Sequence, residues 1–326
     1  MEEESPVRTT VSARRRQVAW ITAMLCALAM TPVLPGTARA DNPIVQTIHT
    51  ADPAPLVHNG RVYLYTGHDE DNSTWFTMKE WRVYSSADMV NWTDHGSPMN
   101  VATFSWASAD AWAGQVVERN GRFYWYVPVT NRATGRMAIG VGVSASPTGP
   151  FTDAIGRPLV ENGEIDPTVL IDSDGQAYLY WGNPNLWYLR LNTDMISYSG
   201  GATRIPLTTA GFGTRTGDAA RPTLYEEGPW VYKRNGLYYN VFAAKCCSEF
   251  IAYSTAPGPT GPGPTAARSC PPRAAASPTT PASSTSTAGR TSSTTTARSP
   301  AGVASPARSP SRSSPTTPTA PSRRSP

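Results

Sequence analysis

Residues 164–182 read EIDPTVLIDSDGQAYLYWG, and this stretch decides the fold class. An acidic residue stands before a proline, and a short apolar run follows it. An Asp-Gly pair then marks a turn, and a second run with alternating aromatic residues completes the stretch. Asp-Gly and Asn-Gly are the strongest short signals for a β-hairpin, because a type I′ turn needs positive φ at both central residues. The stretch therefore predicts two strands joined by a tight turn.

The same pattern occurs three more times along the chain. The other copies read DPAPLVHNGRVYLYTG from Asp52, WAGQVVERNGRFYWYV from Trp112 and EGPWVYKRNGLYYNVF from Glu227. The four turn glycines are Gly60, Gly121, Gly175 and Gly236. Successive turns are 61, 54 and 61 residues apart, and further short strands are expected between them. A repeat of this length built from strands predicts an all-β propeller with one blade per copy, in preference to a β-sandwich.

One position of the repeat carries chemistry. Asp52, Trp112, Asp166 and Glu227 all stand eight or nine residues before their turn glycine. The innermost strands of a propeller line its central channel, so these side chains are expected to meet there. Asp-Pro and Glu-Gly-Pro are also ordinary turn sequences. Three acids at matched positions nevertheless favour a site, because carboxylates beside an apolar channel are costly unless they have a function.

Facing carboxylates suit glycoside hydrolysis. One of them, protonated, donates to the leaving oxygen, and another, ionised, activates water or attacks the sugar. A third acid nearby raises the pKa of the proton donor. Aromatic side chains offer flat apolar faces for a sugar ring. The candidate catalytic residues are Asp52, Asp166 and Glu227, and the candidate substrate-binding residues are Trp112, Trp106, Trp75 and Phe76.

Taken together and in this order, the three acidic motifs resemble glycoside hydrolase family 43. The resemblance covers roughly residues 43–262, and WRVYSSADMVNWTDHG and DAWAGQV resemble its arabinoxylan-acting branch. It implies a five-bladed propeller and a mechanism that inverts the anomeric centre. The implied substrate is a terminal α-L-arabinofuranosyl or β-D-xylosyl unit of a plant cell-wall polysaccharide. Arabinose or xylose specificity, and exo or endo action, stay open.

The resemblance also implies roles for single residues. Asp52 falls on the general base, Glu227 on the general acid, and Asp166 on the residue that raises the pKa of the acid and orients it. Glu226, the neighbour of Glu227, is not a candidate. No cofactor is required for the chemistry. The family's central calcium ion is possible, but the histidine of the fifth blade that helps to hold it is missing from this sequence.

The first 40 residues resemble a secretory signal peptide. Arg14, Arg15 and Arg16 precede an apolar stretch that is short for a bilayer span, and Ala38-Arg39-Ala40 fits a cleavage site. The chain has a formal net charge of +4, of which residues 1–40 contribute +2 and residues 263–326 contribute +8, leaving −6 for residues 41–262. We expect a secreted protein without a membrane anchor after cleavage, and the acidic body argues against nucleic acid as a partner.

Residues 263–326 differ in composition from the predicted propeller at 41–262. They contain only Gly, Pro, Thr, Ala, Arg, Ser and Cys, apart from Val303. Every codon for those types has G or C in its middle position, as a shifted reading frame of a GC-rich gene produces. We interpret the segment as a disordered tail and a frameshift product, with a genuine Ser/Thr/Pro-rich linker as the alternative. It replaces the fifth blade, so only four blades are recognisable.

Two other functions stay open at this point. An incomplete propeller could be an inactive carbohydrate-binding module, and a related five-bladed fold hosts retaining enzymes that act on fructosides. Two local features have plainer interpretations. Asp172 and Asp174 resemble part of a calcium loop but fit a hairpin turn better. Cys246 and Cys247 are expected to be thiols on a strand, because adjacent cysteines rarely close a disulfide.

Overall fold

The computed structural model describes residues 43–246 and 249–261 and the backbone of residues 265–268. These residues form four antiparallel β-sheets, each built from strands that are close in sequence. The signal peptide expected at residues 1–40 lies outside them, as does the tail beyond residue 268. Within the described ranges, no helix has the length and apolarity to cross a membrane.

The first two sheets come from residues 50–161. The first contains β1 (Thr50–His58), β2 (Arg61–Asp69), β3 (Met78–Ser86), β4 (Thr93–Asp94) and β5 (Met99–Asn100). The second contains β6 (Ala107–Ala109), β7 (Gln115–Arg119), β8 (Arg122–Asn131), β9 (Met137–Ser144), β10 (Thr152–Asp153) and β11 (Val160–Glu161). Their orders are β1-β2-β3-β4, with β5 also on β3, and β10-β9-β8-β6, with β7 on β8 and β11 on β9. A 3-10 turn at Val101–Thr103 links them.

The other two sheets are simple meanders. The third contains β12 (Thr168–Ile171), β13 (Ala177–Trp181), β14 (Leu186–Leu191) and β15 (Tyr198–Ile205). The fourth contains β16 (Tyr225–Arg234), β17 (Leu237–Ala244), β18 (Phe250–Ala256) and β19 (Thr265–Arg268). The short helix α1 (Thr209–Phe212) lies between them in sequence, and the Thr208 hydroxyl caps it by accepting from Gly211 N.

The four sheets are arranged as the blades of a propeller, which confirms the fold class. The leading strands of successive sheets are in contact, β1 with β7, β7 with β12 and β12 with β16. Each pair of neighbouring sheets encloses an apolar core. Trp81 and Trp125 lie in the first core and Trp181 in the second, each no more than 1% exposed. Burying such rings stabilises the blade contacts, because each removes a large apolar surface from water.

Three of the four predicted type I′ turns are confirmed. Asn59, Asn120 and Asn235 have φ of 48°, 54° and 50°, and the glycine after each is also at positive φ. In the third blade the prediction is wrong, because only Gly175 of the Asp174-Gly175 pair has positive φ. Ile171 pairs with Ala177, so the connection is five residues long. Gly175 N donates to Asp172 O at 2.9 Å within it.

One strand of the fourth blade lies beyond the boundary predicted at residue 262. This strand, β19, pairs with β18, with Thr265 opposite Thr255. We based the boundary on side-chain composition, but strand pairing uses the main-chain N–H and C=O groups that almost every residue supplies. The fourth blade therefore includes residues that the composition assigned to the tail.

The expectation of free thiols is wrong for Cys246. This residue lies in the turn after β17 and forms a disulfide bond. Its partner lies outside the described residues. The turn is therefore cross-linked at a point that also faces the candidate site.

Candidate active site

Irregularities in the strands bring the three candidate carboxylates into one place. The pairing of β1 shifts between Ala51 and Ala54, around Asp52, and that of β16 shifts on both sides of Glu227. Asp52 and Asp166 have φ of 51° and 63°, in the left-handed region that residues with side chains rarely adopt. Bulges and strained backbone of this kind re-aim side chains and cluster at functional sites.

The carboxylates of Asp52, Asp166 and Glu227 line a single cavity of about 540 Å³. They come from three different blades and are 114 and 61 residues apart along the chain. Trp112, which occupies the matched position of the second blade, lines the same cavity. The structure thus brings together all four residues that occupy the matched position.

Asp166 is held close to the backbone of the glutamate. Its Oδ2 accepts a hydrogen bond of 3.1 Å from Gly228 N, and Gly228 directly follows Glu227. Burial, the charge of Glu227 and the charge of Asp52 raise the pKa of Asp166 well above its usual range, although the Gly228 N–H acts against them. The cavity therefore retains protons that isolated carboxyl groups would have lost.

Glu227 has the pKa of a proton donor for neutral solution. Burial, together with the charges of Glu249, Asp52 and Glu226, raises the pKa of Glu227 to about 7. A hydrogen bond from Asn183 Nδ2 to Glu227 Oε2, 2.5 Å long, acts in the opposite direction. A carboxyl group in this state can give up its proton during a reaction and recover it from solvent afterwards.

The neighbouring Glu226 has a different environment and a different use. It is 5% exposed and accepts from Arg215 and Arg221, each at 2.5 Å, and from Cys246 N at 3.0 Å. Burial alone would raise the pKa of Glu226, but these three donors outweigh it and hold the pKa below the usual range. Glu226 is therefore a charged anchor for the 215–226 segment, and Glu227 is the residue that can carry a proton.

Three of the four predicted aromatic residues border the cavity. The Trp112 indole donates to Phe76 O at 2.8 Å and fixes the loop that carries Trp75 and Phe76. Those two rings pack edge to face with centroids 5.1 Å apart. They are 70% and 51% exposed, which leaves a large apolar surface at the mouth of the cavity.

Trp106 is not brought to the cavity, which corrects its predicted role. Its indole donates to Asp153 Oδ2 at 3.0 Å and its ring packs against Phe104 at a centroid distance of 5.5 Å. The side chain is partly buried against the core between the first two blades. A loop tryptophan beside a strand start looks the same in sequence whether it faces a cavity or a core.

Two polar residues of the cavity escaped the sequence reasoning. Asn183 follows β13, and Glu249 precedes β18 in the segment that also contains Cys246. Neither occupies the matched position of the repeat, so their only signal was their closeness in sequence to the blade strands. Burial, followed by the charge of Glu226, raises the pKa of Glu249.

The described residues offer no obvious metal centre. Across residues 43–246 and 249–261, no group of three or more His, Cys, Asp or Glu side chains is arranged to hold an ion. Asp172, which resembled a calcium ligand in sequence, accepts from Lys233 Nζ at 2.8 Å and from the Tyr238 hydroxyl. These contacts tie the third blade to the fourth.

The sequence as a whole matches one protein family. The match to the glycosyl hydrolases of family 43 extends over residues 40–309, which is most of the chain. The chain belongs to glycosyl hydrolase family 43. The family 43 match runs past residue 262 into the segment beyond the described residues, further than the motifs had indicated.

Curated relatives of this family 43 chain carry related names. A xylosidase/arabinosidase of Bacteroides ovatus is 30% identical over 253 residues, which are 66% of this chain and 76% of the relative. An arabinoxylan arabinofuranohydrolase of Bacillus subtilis (strain 168) is 33% identical, over 68% of this chain and 50% of the relative. A xylosidase/arabinosidase 43A of Humicola insolens is 36% identical over 44% of this chain and 46% of the relative. The chain thus spans about half the length of two of these three relatives.

Solved structures of family 43 enzymes share the fold. A family 43 enzyme from Xanthomonas citri, complexed with xylotriose, matches with a TM-score of 0.63 and 30% identity over 76% of this chain and 79% of that chain. An α-L-arabinofuranosidase from Clostridium thermocellum matches with a TM-score of 0.54 and 35% identity over 68% of this chain and 72% of that chain.

Proposed function

We propose that this chain is a secreted glycoside hydrolase that releases terminal α-L-arabinofuranosyl or β-D-xylosyl units from arabinoxylan with inversion of the anomeric centre. One observation carries the proposal: Asp52, Asp166 and Glu227, from three blades, line one cavity together with Trp112. The names of the relatives support the substrate class, since they include xylosidases, arabinosidases and an arabinoxylan arabinofuranohydrolase.

The proposed reaction uses each carboxyl group once. Asp52 takes a proton from a water molecule, and the water oxygen forms a bond to the anomeric carbon on one face of the sugar. The bond from that carbon to the leaving oxygen breaks on the other face, and Glu227 gives its proton to the leaving oxygen. Solvent later returns a proton to Glu227 and removes one from Asp52.

Asp166 supports this step without touching the reacting atoms. Its negative charge, when present, disfavours ionisation of Glu227, because like charges in one cavity repel. Its bond to Gly228 N also fixes the backbone beside Glu227. Because the two groups interact electrostatically, their protons leave in steps that belong to the pair.

The aromatic surface suits a sugar ring followed by a polymer. Trp112 stands beside the carboxylates, and Trp75 and Phe76 extend the apolar surface to the cavity mouth. A pentose unit would stack in the cavity while the remaining polysaccharide lies outside, over the exposed rings.

No step of the proposed reaction passes through a metal ion. The family-type calcium was expected to need a histidine that this sequence lacks, and the described residues do not provide a set of ligands that fits it. The proposal assigns the making and breaking of bonds to the carboxyl groups.

Secretion is part of the proposal and rests on residues 1–40. It agrees with the location of the substrate, because plant cell-wall polysaccharide is too large to enter a cell. Sequencing the mature N-terminus of the protein recovered from culture medium tests it; an N-terminus at Asp41 is expected, and retention of the whole chain inside the cell would contradict it.

An inactive carbohydrate-binding module is the second candidate. It is favoured by the count of four sheets among the described residues, against the five blades that the resemblance implies. Turnover decides between the two. We expect the chain to release 4-nitrophenol from 4-nitrophenyl α-L-arabinofuranoside or β-D-xyloside faster than its Asp52→Asn variant does, because activation of water is needed whatever the leaving group. Equal rates for the two proteins, with arabinoxylan oligosaccharides still bound, would establish the binding module instead.

A further inference from the structure

The connection between β13 and β14 brings an amide to the proposed general acid. Asn183 Nδ2 donates to Glu227 Oε2 at 2.5 Å, across a sequence separation of 44 residues. Nothing in the repeat pattern pointed to this contact, because Asn183 lies at the end of the second strand of its blade and not at the start of the first. The connection spans only four residues, from the end of β13 at Trp181 to the start of β14 at Leu186.

A buried carboxylate organises this connection from beneath. Glu164 is 7% exposed, and its Oε2 accepts from Asn183 N at 2.6 Å and from Asn185 N at 3.4 Å. Its Oε1 accepts from Asn185 Nδ2 at 2.6 Å and from the Trp187 indole at 3.4 Å. All four donors are neutral, and none of the ion pairs found in the described part of the chain involves Glu164.

The start of the connection is fixed as well. Gly182 has φ of 143°, and a Cβ at this position would lie 1.5 Å from Asn185 O, so the turn closes directly onto the glycine. Gly182 N donates to Ile165 O at 2.7 Å, and Gly182 O accepts from the Tyr225 hydroxyl at 2.7 Å. The connection is therefore tied to the segment before Asp166 and to the strand that carries Glu227.

We infer that Asn183 is a positioning residue for Glu227, and that Glu164 holds the connection in the place that makes this contact. The inference rests on the proposed function, in which Glu227 is the general acid. A carboxylic acid has one carbonyl oxygen that accepts and one hydroxyl oxygen that donates. An N–H group directed at Oε2 favours Oε2 as the accepting oxygen. The proton of Glu227 is then held on Oε1, the oxygen that delivers it to the leaving group.

The choice of an amide at position 183 fits the charges around it. The acidic groups that face Glu227 are Asp52 on β1, Asp166 before β12, Glu226 on β16 and Glu249 before β18. No positively charged side chain lines the cavity among the residues that the structure describes. Asn183 is thus a neutral donor in an acidic cavity. It orients the carboxyl group of Glu227 and limits the rise of the Glu227 pKa. A positively charged side chain in its place would favour the ionised form, so that Glu227 would lose its proton.

Direct titration of Glu227 tests the contact independently of catalysis. The probe is the chain with ¹³C-labelled glutamate side-chain carboxyl groups, in which the Glu227 signal is identified by its loss in Glu227→Gln. We expect Asn183→Ala to raise the pKa of Glu227 by about one unit, because it removes a hydrogen bond to the charged form. Asn185→Ala is the comparison variant, because it keeps the Asn183 amide and loosens the connection only through the lost contact to Glu164, so its shift should be smaller. An unchanged Glu227 titration in folded Asn183→Ala would overturn the inference.

A second variant covers the case in which Asn183→Ala fails to fold. Asn183→Asp keeps the shape of the side chain and replaces the donor by a carboxyl group. The rise in the pKa of Glu227 should therefore be larger than in Asn183→Ala. Glu164→Gln places an amide against the donors that Glu164 accepts from, so it should displace the connection and move the Glu227 titration in the same direction. An unchanged Glu227 titration in either folded variant would overturn the corresponding part of the inference.

Dependence on the leaving group separates positioning of the proton from a merely structural role. The 2,4-dinitrophenolate group of an activated glycoside leaves without being protonated. The sugar hydroxyl that leaves from a xylooligosaccharide needs a proton from the general acid. We expect Asn183→Ala to lower kcat on the oligosaccharide about 10- to 100-fold and to leave the activated glycoside nearly unaffected, a smaller loss than removal of the general acid itself, which costs about 10²- to 10⁴-fold. Equal losses on both substrates would overturn the inference. Absence of turnover in the parent chain would reject the proposed function, and the titration would still decide the contact.

Discussion

Replacing Glu227 by glutamine should stabilise the protein, and the gain should depend on pH. Burial and neighbouring charges raise the pKa of Glu227 from 4.5 to about 7, so the folded protein keeps a proton between these values that the unfolded chain has lost. Stability therefore falls as pH rises through this window, and the unfavourable contribution is complete above pH 7. A difference of about 2.5 units at about 1.4 kcal/mol per unit corresponds to between about 3 and 4 kcal/mol in all, of which about 3 kcal/mol develops between pH 4 and pH 8.

Glutamine carries no charge and still offers an oxygen to Asn183. At pH 8 we expect Glu227→Gln to raise the free energy of unfolding by about 3 kcal/mol more than it does at pH 4. For a folded body of this size the gain corresponds to an increase of roughly 6–12 °C in Tm. Urea unfolding monitored by tryptophan fluorescence at both pH values measures the effect.

The adjacent glutamate supplies the matched control. Glu226 is buried against Arg215 and Arg221, and its pKa is held low, so Glu226→Gln should destabilise the protein at pH 8 by about 3–5 kcal/mol. That loss should shrink as pH falls, because the contribution of a carboxylate with a depressed pKa disappears when it is protonated. The same change in stability for Glu227→Gln at pH 4 and pH 8 would refute the buried, proton-holding state of Glu227.

Three further predictions concern catalysis. Asp52→Asn should lower kcat at least 1,000-fold, roughly as expected for loss of a general base, with unchanged circular dichroism; turnover near the parent rate would remove Asp52 from its role. The kcat of the parent chain should fall above about pH 7 as Glu227 loses its proton, and a rate that is flat to pH 9 would contradict that pKa. Trp112→Ala should raise KM about tenfold, whereas Trp106→Ala should lower stability by about 3 kcal/mol and leave KM unchanged; a change in KM for Trp106→Ala alone would contradict the placement of the two rings.

The repeat made the fold and the ring of carboxylates accessible from sequence. Asn-Gly pairs determine hairpin turns through local backbone preferences, so the turns at Asn59, Asn120 and Asn235 followed directly. The type I′ turn predicted at Asp174-Gly175 is wrong because the connection there is five residues long. Asp172 within this connection accepts a hydrogen bond from Lys233 of the next blade. The carboxylates could be predicted because residues at the same position of each repeat occupy equivalent places in successive blades, even when they are far apart along the chain.

The residues that sequence reasoning missed depend on contacts between distant segments. The hydrogen bond of Trp106 to Asp153 spans 47 residues, and nothing near the tryptophan in sequence distinguishes it from a tryptophan at a cavity. The support of Asn183 by Glu164 spans 19 residues across one blade. β19 was missed for another reason, since main-chain pairing leaves little trace in side-chain composition.

The configuration of the first-formed sugar tests the central claim most directly. Proton NMR in D₂O, recorded during the first minutes of hydrolysis of an aryl β-D-xyloside or α-L-arabinofuranoside, distinguishes the two anomers before they equilibrate. If Asp52 activates water on the face opposite Glu227, the product will appear first as the anomer opposite to the substrate, and Asp52→Asn will abolish the signal. A first product with the configuration of the substrate would contradict the account.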